Sequence, residues 1–305
     1  MYDIIVAGGG PAGMTAALYG LRNGKSVLII EKAGFGGQIT YSPRVENIPG
    51  FSVISGNEYA DKFMDQILNQ GVEMELEEVC AVEDAGDYKI VRTKEGSAFE
   101  GRSVILATGV RHRMLGLPGE KELVGEGISF CAVCDGDFYK GKKVCIAGGG
   151  NSAFVEAVLL AEKCGEVVML QDLPECTADR KLQEDFFRHA NVSCITSCGI
   201  QSLLTENGKL VGVEITHTDT GAEECIDCDG LFVAIGLIPE NEAFAGLCAL
   251  NDYGYFDTDE SCTTKTPGVF VAGDCRSKKV RQVTTACADG AMAALAACEY
   301  LRTIR

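Results

Sequence analysis

One local pattern occurs twice in this chain, and it leaves few folds open. Residues 2 to 7 form an apolar run ending in Gly8-Gly9-Gly10-Pro11-Ala12-Gly13, and Met14 to Leu21 follow with helical spacing. A second run, Lys142-Lys143-Val144-Cys145-Ile146-Ala147, ends in Gly148-Gly149-Gly150-Asn151-Ser152-Ala153, with a helix expected from about 154 to 164. In such a strand–loop–helix unit the first glycine allows a tight turn. The second lets backbone approach a pyrophosphate, the third position (glycine, or alanine in the second copy) lets helix pack on strand, and the helix N-terminus attracts phosphate. Another short strand follows each helix, Ser26 to Ile30 and Val167 to Leu170, and each is followed by an acid. Glu31 lies 21 residues after Gly10 and Asp172 lies 22 after Gly150. At that spacing a carboxylate takes the ribose hydroxyls of an adenosine. A lone glycine turn would be an ordinary bend, but the whole pattern, repeated, predicts an α/β chain with two Rossmann-like dinucleotide-binding domains.

A length of 305 residues accommodates two such domains with full cores, and 46% apolar residues with 37 glycines suits an α/β protein rich in tight turns. The first residues enter a strand directly, without the basic, long apolar and small-residue regions of a signal peptide. No apolar run reaches the roughly 18 residues of a membrane helix. The expectation is a cytoplasmic protein. A net charge of -17 argues against nucleic acid and anionic membranes as partners, and its scatter along the chain reads as solubility. The 15 cysteines are irregularly spaced and have no secretory context, so most are expected to be reduced and buried.

Between the two patterns, Gly34-Phe35-Gly36-Gly37-Gln38-Ile39-Thr40 and Val45-Glu46-Asn47-Ile48-Pro49-Gly50-Phe51 are irregular and glycine-dense, suited either to a surface turn or to backbone lying close to a flat ligand. A helix is expected over 57 to 70, and strands over Val79 to Val82, Tyr88 to Arg92 and Ser103 to Ala107, the last running into Thr108-Gly109. Further on, a helix is expected over 179 to 189, β-rich segments over 192 to 234 and an amphipathic helix over about 282 to 301. Gly273-Asp274 closes a strand with a glycine turn and an acid, which suits either a ligand hydroxyl or a helix cap.

The stretch Cys131-Ala132-Val133-Cys134-Asp135 carries its own chemistry. Two sulfurs three residues apart can close a small disulfide, and the next carboxylate could exchange a proton with a thiol. Alone, the pair equally suits half a zinc site or two buried thiols. Zinc would need two more ligands; the only comparable pair is Cys225-Ile226-Asp227-Cys228, in a distant β-rich segment, and the chain has three histidines. Cys225 and Cys228 read as structural thiols, with a secondary redox role as the alternative. Two dinucleotide sites and one dithiol make an electron path: nicotinamide gives hydride, flavin holds two electrons, and a disulfide receives them.

Over essentially its whole length the chain resembles the low-molecular-weight thioredoxin reductases. The segments that carry the resemblance are Gly8 to Gly13 with Glu31, Gly36-Gly37-Gln38, Val45 to Phe51, Ala107-Thr108-Gly109, Ser129 to Gly136, Gly148 to Ala153, Ala272-Gly273-Asp274-Cys275 and Arg281-Gln282. The resemblance implies FAD in a discontinuous domain, residues 1–114 and 243–305, with an inserted nicotinamide-nucleotide domain, residues 115–242, carrying the dithiol. It also implies a homodimer and a rotation between domains about hinges near 113 to 117 and 240 to 244. Carried over, Cys134 is the sulfur nearer the flavin, Cys131 the one that attacks a partner disulfide, and Asp135 the acid/base. FAD would be held by Gly8, Gly10, Pro11, Ala12, Gly13, Glu31, Gly37, Gln38, Asn47, Ala107, Thr108, Gly109, Gly273, Asp274, Arg281, Gln282 and Val283, with Gln38 and Asn47 beside the isoalloxazine. The nicotinamide nucleotide would be held by Gly148, Gly150, Asn151, Ser152, Ala153 and Asp172.

The chain departs from NADPH-using members after the second strand of the inserted domain. Where they place a cluster like His-Arg-Arg, it reads Gln171-Asp172-Leu173-Pro174-Glu175-Cys176-Thr177. Two carboxylates would repel a 2′-phosphate, and an acid there suits the free ribose of NADH. Leu173-Pro174-Glu175 with Ala178-Asp179 resembles the NADH-using flavoprotein subunit of alkyl hydroperoxide reductases. NADH is therefore the expected donor, with NADPH, or a ferredoxin-dependent reductase or flavin-linked dithiol oxidase, as alternatives; the last two groups tend to lose the second fingerprint, which this chain keeps. Thioredoxin or a thioredoxin-like redoxin is the expected partner, although Asp137 precedes Phe138-Tyr139 where an aromatic grip is usual.

Overall fold

The computed structural model describes residues 1–42 and 44–304. The chain forms two compact units, one from the described residues within 1–43, 48–111 and 238–305, the other from 44–47 and 112–237. Each is a Rossmann-like α/β fold, and the second is set into the sequence of the first.

In the first unit the central strand Tyr2–Ala7 lies parallel to Val27–Ile30 on one side and to Ala98–Leu106 on the other. The strand Glu73–Glu75 extends the sheet beyond Val27–Ile30. On its far edge Ala98–Leu106 is shared: its first half pairs antiparallel with Lys89–Thr93, and Val104 to Leu106 pair parallel with Val269–Val271. Val27–Ile30 is buried at every position, which explains its unbroken apolar run. Ile4, Val6, Ile29 and Ile105 face the helices Pro11–Arg22, Gly56–Leu68 and Val283–Thr303; Ile5, Leu28, Val104 and Leu106 face a second core with Phe244 and Phe256. The last helix approaches the first so closely that a Cβ on Gly290 would stand 2.1 Å from the Ala12 carbonyl oxygen. This contact closes the unit from its two chain ends.

The second unit repeats the plan. Five parallel strands run in the order Val192–Ile195, Glu166–Leu170, Lys143–Ala147, Gly230–Val233, Ile128–Ser129. The helix Asn151–Ala161 packs on one face through Phe154, Ala157 and Leu160. A three-stranded antiparallel sheet, Cys198–Glu206, Lys209–His217 and Glu223–Asp227, covers the other through Val213 and Ile215. Its first hairpin turns on Asn207-Gly208, both at positive φ, as a two-residue primed turn requires.

The expected helices are found at Gly56–Leu68, Arg180–Phe187 and Val283–Thr303. The helix expected from 154 begins earlier, at Asn151, because the fingerprint itself forms its first turn. The 34–51 stretch holds one turn of 3-10 helix, Gly37–Tyr41, with no buried residue. Among the described residues no helix is long and apolar enough to cross a membrane.

Candidate active site

The first glycine loop owes its shape to Gly8. At φ 113° it turns the chain out of the central strand, and a Cβ there would lie 2.2 Å from the Ala107 carbonyl oxygen. Gly148 repeats this in the second unit, with φ 122° and a Cβ position 2.6 Å from the Ala234 carbonyl oxygen. In each loop the second glycine opens space: a Cβ on Gly10 would meet only Gly37 Cα, at 3.9 Å, and one on Gly150 only Thr177 Oγ1, at 3.7 Å. Pro11 stands in the first helical turn, where a missing N–H costs nothing.

Around the first loop the structure gathers the C-terminal ends of three parallel strands. Ala107-Thr108-Gly109 leave Ala98–Leu106, and Gly273-Asp274 leave Val269–Val271, with a Gly273 Cβ position 2.7 Å from Ala12 Cβ. Gly37 closes over the loop, its Cβ position 3.1 Å from Gly10 Cα. The Glu31 carboxylate accepts from Gly9 N at 2.6 Å and Ala33 N at 2.9 Å, so it is fixed beside the loop. Asp274 Oδ1 is shut off from solvent and has Lys278 Nζ at 3.5 Å, and burial raises its pKa against the pull of Lys278 and Arg281. A glycine-floored crevice at the carboxyl ends of parallel strands, with a buried carboxylate held only by a long lysine contact, fits a dinucleotide.

Arg281 stands at the edge of this crevice over the Tyr255 ring, 4.1 Å from its centroid. It donates to the carbonyls of Asp274, Lys278 and Arg276, and so braces the loop that carries Asp274. Gln282 is the N-cap of the last helix in a capping box with Thr285, and Val283 begins that helix. Gln38 donates to the Val110 carbonyl. Asn47 belongs to the second unit, with its Nδ2 4.0 Å from Cys134 Sγ. The structure thus brings Asn47 to the dithiol.

Cys131 and Cys134 form a disulfide at the start of the short helix Ala132–Asp135. Cys131 is its N-cap, and the Cys134 N–H donates to Cys131 Sγ at 3.2 Å. Such a donor favours thiolate on Cys131 once the bond opens. Behind the sulfurs, Ser129 Oγ donates to Asp135 Oδ2 at 2.6 Å and accepts from Cys131 N at 3.1 Å. Asp135 Oδ1 is buried without a hydrogen bond. Burial raises the Asp135 pKa and outweighs the Ser129 bond, so the group holds a proton to higher pH than an ordinary aspartic acid.

The second loop has a different rim. Asp172 and Glu175 are exposed, whereas Gln171 is buried and gives its amide to the Glu175 carbonyl at 3.3 Å. Asn151 is tied to Asp179, by Nδ2 to Oδ2 at 3.0 Å and Asp179 N to Oδ1 at 2.7 Å. Ser152 is exposed and Ala153 fully buried. Arg180 is engaged with Glu184 at 3.3 Å. Cys225 is exposed on its strand and Cys228 buried just beyond it, both as free thiols.

The family model described as Pyridine nucleotide-disulphide oxidoreductase matches residues 2–290. The chain belongs to this family. It is 39% identical over 306 residues to the thioredoxin reductase of Bacillus subtilis, covering 100% of this chain and 96% of that one. It is 37% identical over 305 residues to the thioredoxin reductase of Listeria monocytogenes, covering 100% and 95%. The crystal structure of thioredoxin reductase from Streptococcus pyogenes superposes with a TM-score of 0.94 at 37% identity, covering 99% of both chains. This member of the pyridine nucleotide-disulphide oxidoreductases is therefore an oxidoreductase of the thioredoxin reductase type, a type that implies FAD and a pyridine nucleotide.

Two residues of this oxidoreductase escaped the sequence reading. Asn241, fully buried, accepts from Thr108 Oγ1 at 2.9 Å and gives its amide to the carbonyls of Gly254 and Cys275, fixing the loop after Ala98–Leu106. Glu156, one turn into the second fingerprint helix, accepts from Ala132 N at 2.7 Å. Burial pushes its carboxyl up to about 7, and the nearby Asp135 charge adds to the rise. The signal for Glu156 was a carboxylate amid Phe154-Val155 and Ala157-Val158, one helical turn after an expected phosphate site.

Because the folded state raises the Glu156 pKa, its stability contribution is best below the unfolded value near 4.5 and is lost as pH rises to about 7. Glu156→Gln removes that loss. Between pH 5 and 8 its Tm falls less than that of the parent, with about 2 kcal/mol more stability at pH 8 after allowance for partial solvation. Parallel melting curves for the two proteins would show that the carboxylate does not titrate in this range.

Proposed function

We propose that this enzyme reduces the disulfide of thioredoxin or a thioredoxin-like redoxin with electrons from NADH, through FAD and the Cys131–Cys134 pair. The observation that carries the reading is the closed disulfide with a half-buried Asp135 behind it, its pKa raised by burial, on a fold with two glycine cradles. FAD belongs to residues 1–114 and 243–305, in the crevice of Gly8, Gly10, Gly13, Gly37, Thr108 and Asp274, where it supplies two-electron storage. The nicotinamide nucleotide belongs to residues 115–242, at Gly148, Gly150 and Ala153 with Asp172 on its ribose. The working protein is a cytoplasmic homodimer.

Once the pair is reduced, Cys131 thiolate attacks one sulfur of the partner disulfide, forming a mixed disulfide and releasing the other sulfur as a thiolate. Cys134 then attacks Cys131 Sγ, which closes the resting bond and frees the second partner thiolate. Asp135 supplies a proton across this exchange and the second comes from solvent, so the partner gains two electrons and two protons.

The donor reading rests on charge. Asp172 and Glu175 are exposed at the second cradle and Arg180 is turned to Glu184, which leaves a rim that repels a 2′-phosphate. Anaerobic titration decides it: one equivalent of NADH bleaches the flavin band rapidly and NADPH does so slowly. Asp172→Arg combined with Glu175→Arg, both at exposed positions, shifts the NADPH/NADH ratio of kcat/KM upward by about 10- to 100-fold. An unchanged ratio refutes the ribose assignment, and failure of both nucleotides with bleaching by reduced ferredoxin refutes the donor class.

A further inference from the structure

Beside the second cradle lies another pair of thiols. Cys176 Sγ stands 3.7 Å from Cys194 Sγ, one on the loop after Glu166–Leu170 and the other on the neighbouring strand Val192–Ile195. Both cysteines are partly exposed, and with Glu175, Gln183, Phe187 and Thr196 they line an open hollow in the surface. The buried thiols of this unit, Cys145, Cys164, Cys198 and Cys228, are shut in its cores and lack such access.

The loop bearing Cys176 is part of the cradle. The next residues, Thr177 and Ala178, give their N–H groups to the Gly149 carbonyl at 2.8 and 3.1 Å. Asp179 is bound to Asn151, the first residue of the fingerprint helix. On the other side Cys194 is held in register opposite Met169 in the parallel sheet. One sulfur is therefore carried on the segment bonded to the glycine loop, while its neighbour is held in the sheet.

We propose that Cys176 and Cys194 are a redox-modification site, a second dithiol that closes on exposure to a small-molecule disulfide and loosens the nucleotide cradle. The inference rests on the assignment of the nicotinamide nucleotide to this unit. Cys176 thiolate attacks the small disulfide, RSSR, giving a mixed disulfide and one RS⁻. Cys194 then attacks Cys176 Sγ and releases the second RS⁻. The protein loses two electrons and two protons, and two RSH are formed. Burial, with Cys176 next, holds the Cys194 thiol up at about 12, which makes Cys176 the first attacker. A disulfide requires about 2 Å between sulfurs. The 3.7 Å gap must shrink by about that difference, and Cys176, outside the sheet ladder that holds Cys194, is the side that gives. Drawing Cys176 toward the sheet pulls Thr177 and Ala178 off the Gly149 carbonyl.

The test treats the holoenzyme with excess oxidised glutathione, removes it, and maps disulfides by fragmentation mass spectrometry. Because Cys131–Cys134 is closed at rest, the expected result is one added bond, Cys176 to Cys194, and about a tenfold rise in the NADH concentration giving half-maximal flavin bleaching. Cys194→Ser, treated alike, shows neither change. Absence of the bond, a bond to Cys198 instead, an unchanged half-maximal concentration, or the same rise in Cys194→Ser overturns the proposal. If untreated enzyme is not bleached by NADH, the donor assignment has failed; the disulfide map is read independently of it.

Discussion

Cys131→Ser abolishes reduction of a redoxin disulfide, by at least about 1,000-fold in kcat, while the purified protein stays yellow and its flavin is still bleached by the nucleotide. The loss is near total because the chemistry needs two sulfurs in sequence: one to be attached to the partner and one to release it. The fold survives, because Cys131 is a partly buried N-cap of a four-residue helix and serine is itself a good cap. The two cysteines are separable by what they trap. Cys134→Ser leaves Cys131 able to attack, so it accumulates a mixed disulfide with the redoxin, visible as an added mass that dithiothreitol removes. Cys131→Ser accumulates none. The asymmetry follows from local structure, since Cys131 Sγ receives the Cys134 N–H while Asn47 Nδ2 lies beside Cys134 Sγ. A trapped adduct on Cys131→Ser, and not on Cys134→Ser, would reverse the two roles.

What could be read from the sequence was whatever local rules dictate. Gly8 and Gly148 must leave their strands at positive φ within reach of a carbonyl, and the glycine spacing announced this. Strands buried on both faces announced themselves as unbroken apolar runs. The early start of the helix at Asn151 was missed because Asn151 and Ser152 are polar and exposed, so the apolar period begins only at Ala153. Contacts made by tertiary convergence left no periodic trace. Glu156 meets Ala132 only because the dithiol helix packs on the fingerprint helix, and Asn241 meets Thr108 across 133 residues. Cys176 and Cys194 are 18 residues apart and meet only because parallel strands bring their ends together. Arg281, expected at the FAD, gives three of its five guanidinium N–H groups to carbonyls of the loop bearing Asp274, a bracing that its sequence position did not announce.

Asp135→Asn lowers kcat for redoxin reduction about 100-fold while leaving bleaching of the flavin by nucleotide close to the parent rate. The amide keeps the size of the carboxyl and can still accept from Ser129 Oγ, so the Ser129–Cys131 N bridge persists. What it cannot do is deliver a proton. The thiolates released from the partner must then take both protons from water, without a carboxylic acid placed behind the sulfurs to speed the transfer. The pH profile separates this loss from mere distortion. Burial raises the Asp135 pKa, so the parent carries its acid form to higher pH than an ordinary carboxylic acid. Its kcat for redoxin reduction falls as pH climbs through that raised value, whereas the Asn variant is slow throughout and has no such limb. A variant that was slow yet kept the limb would place the titrating acid elsewhere, with Glu156, held up to about 7 and 2.7 Å from Ala132 N, as the group to replace next.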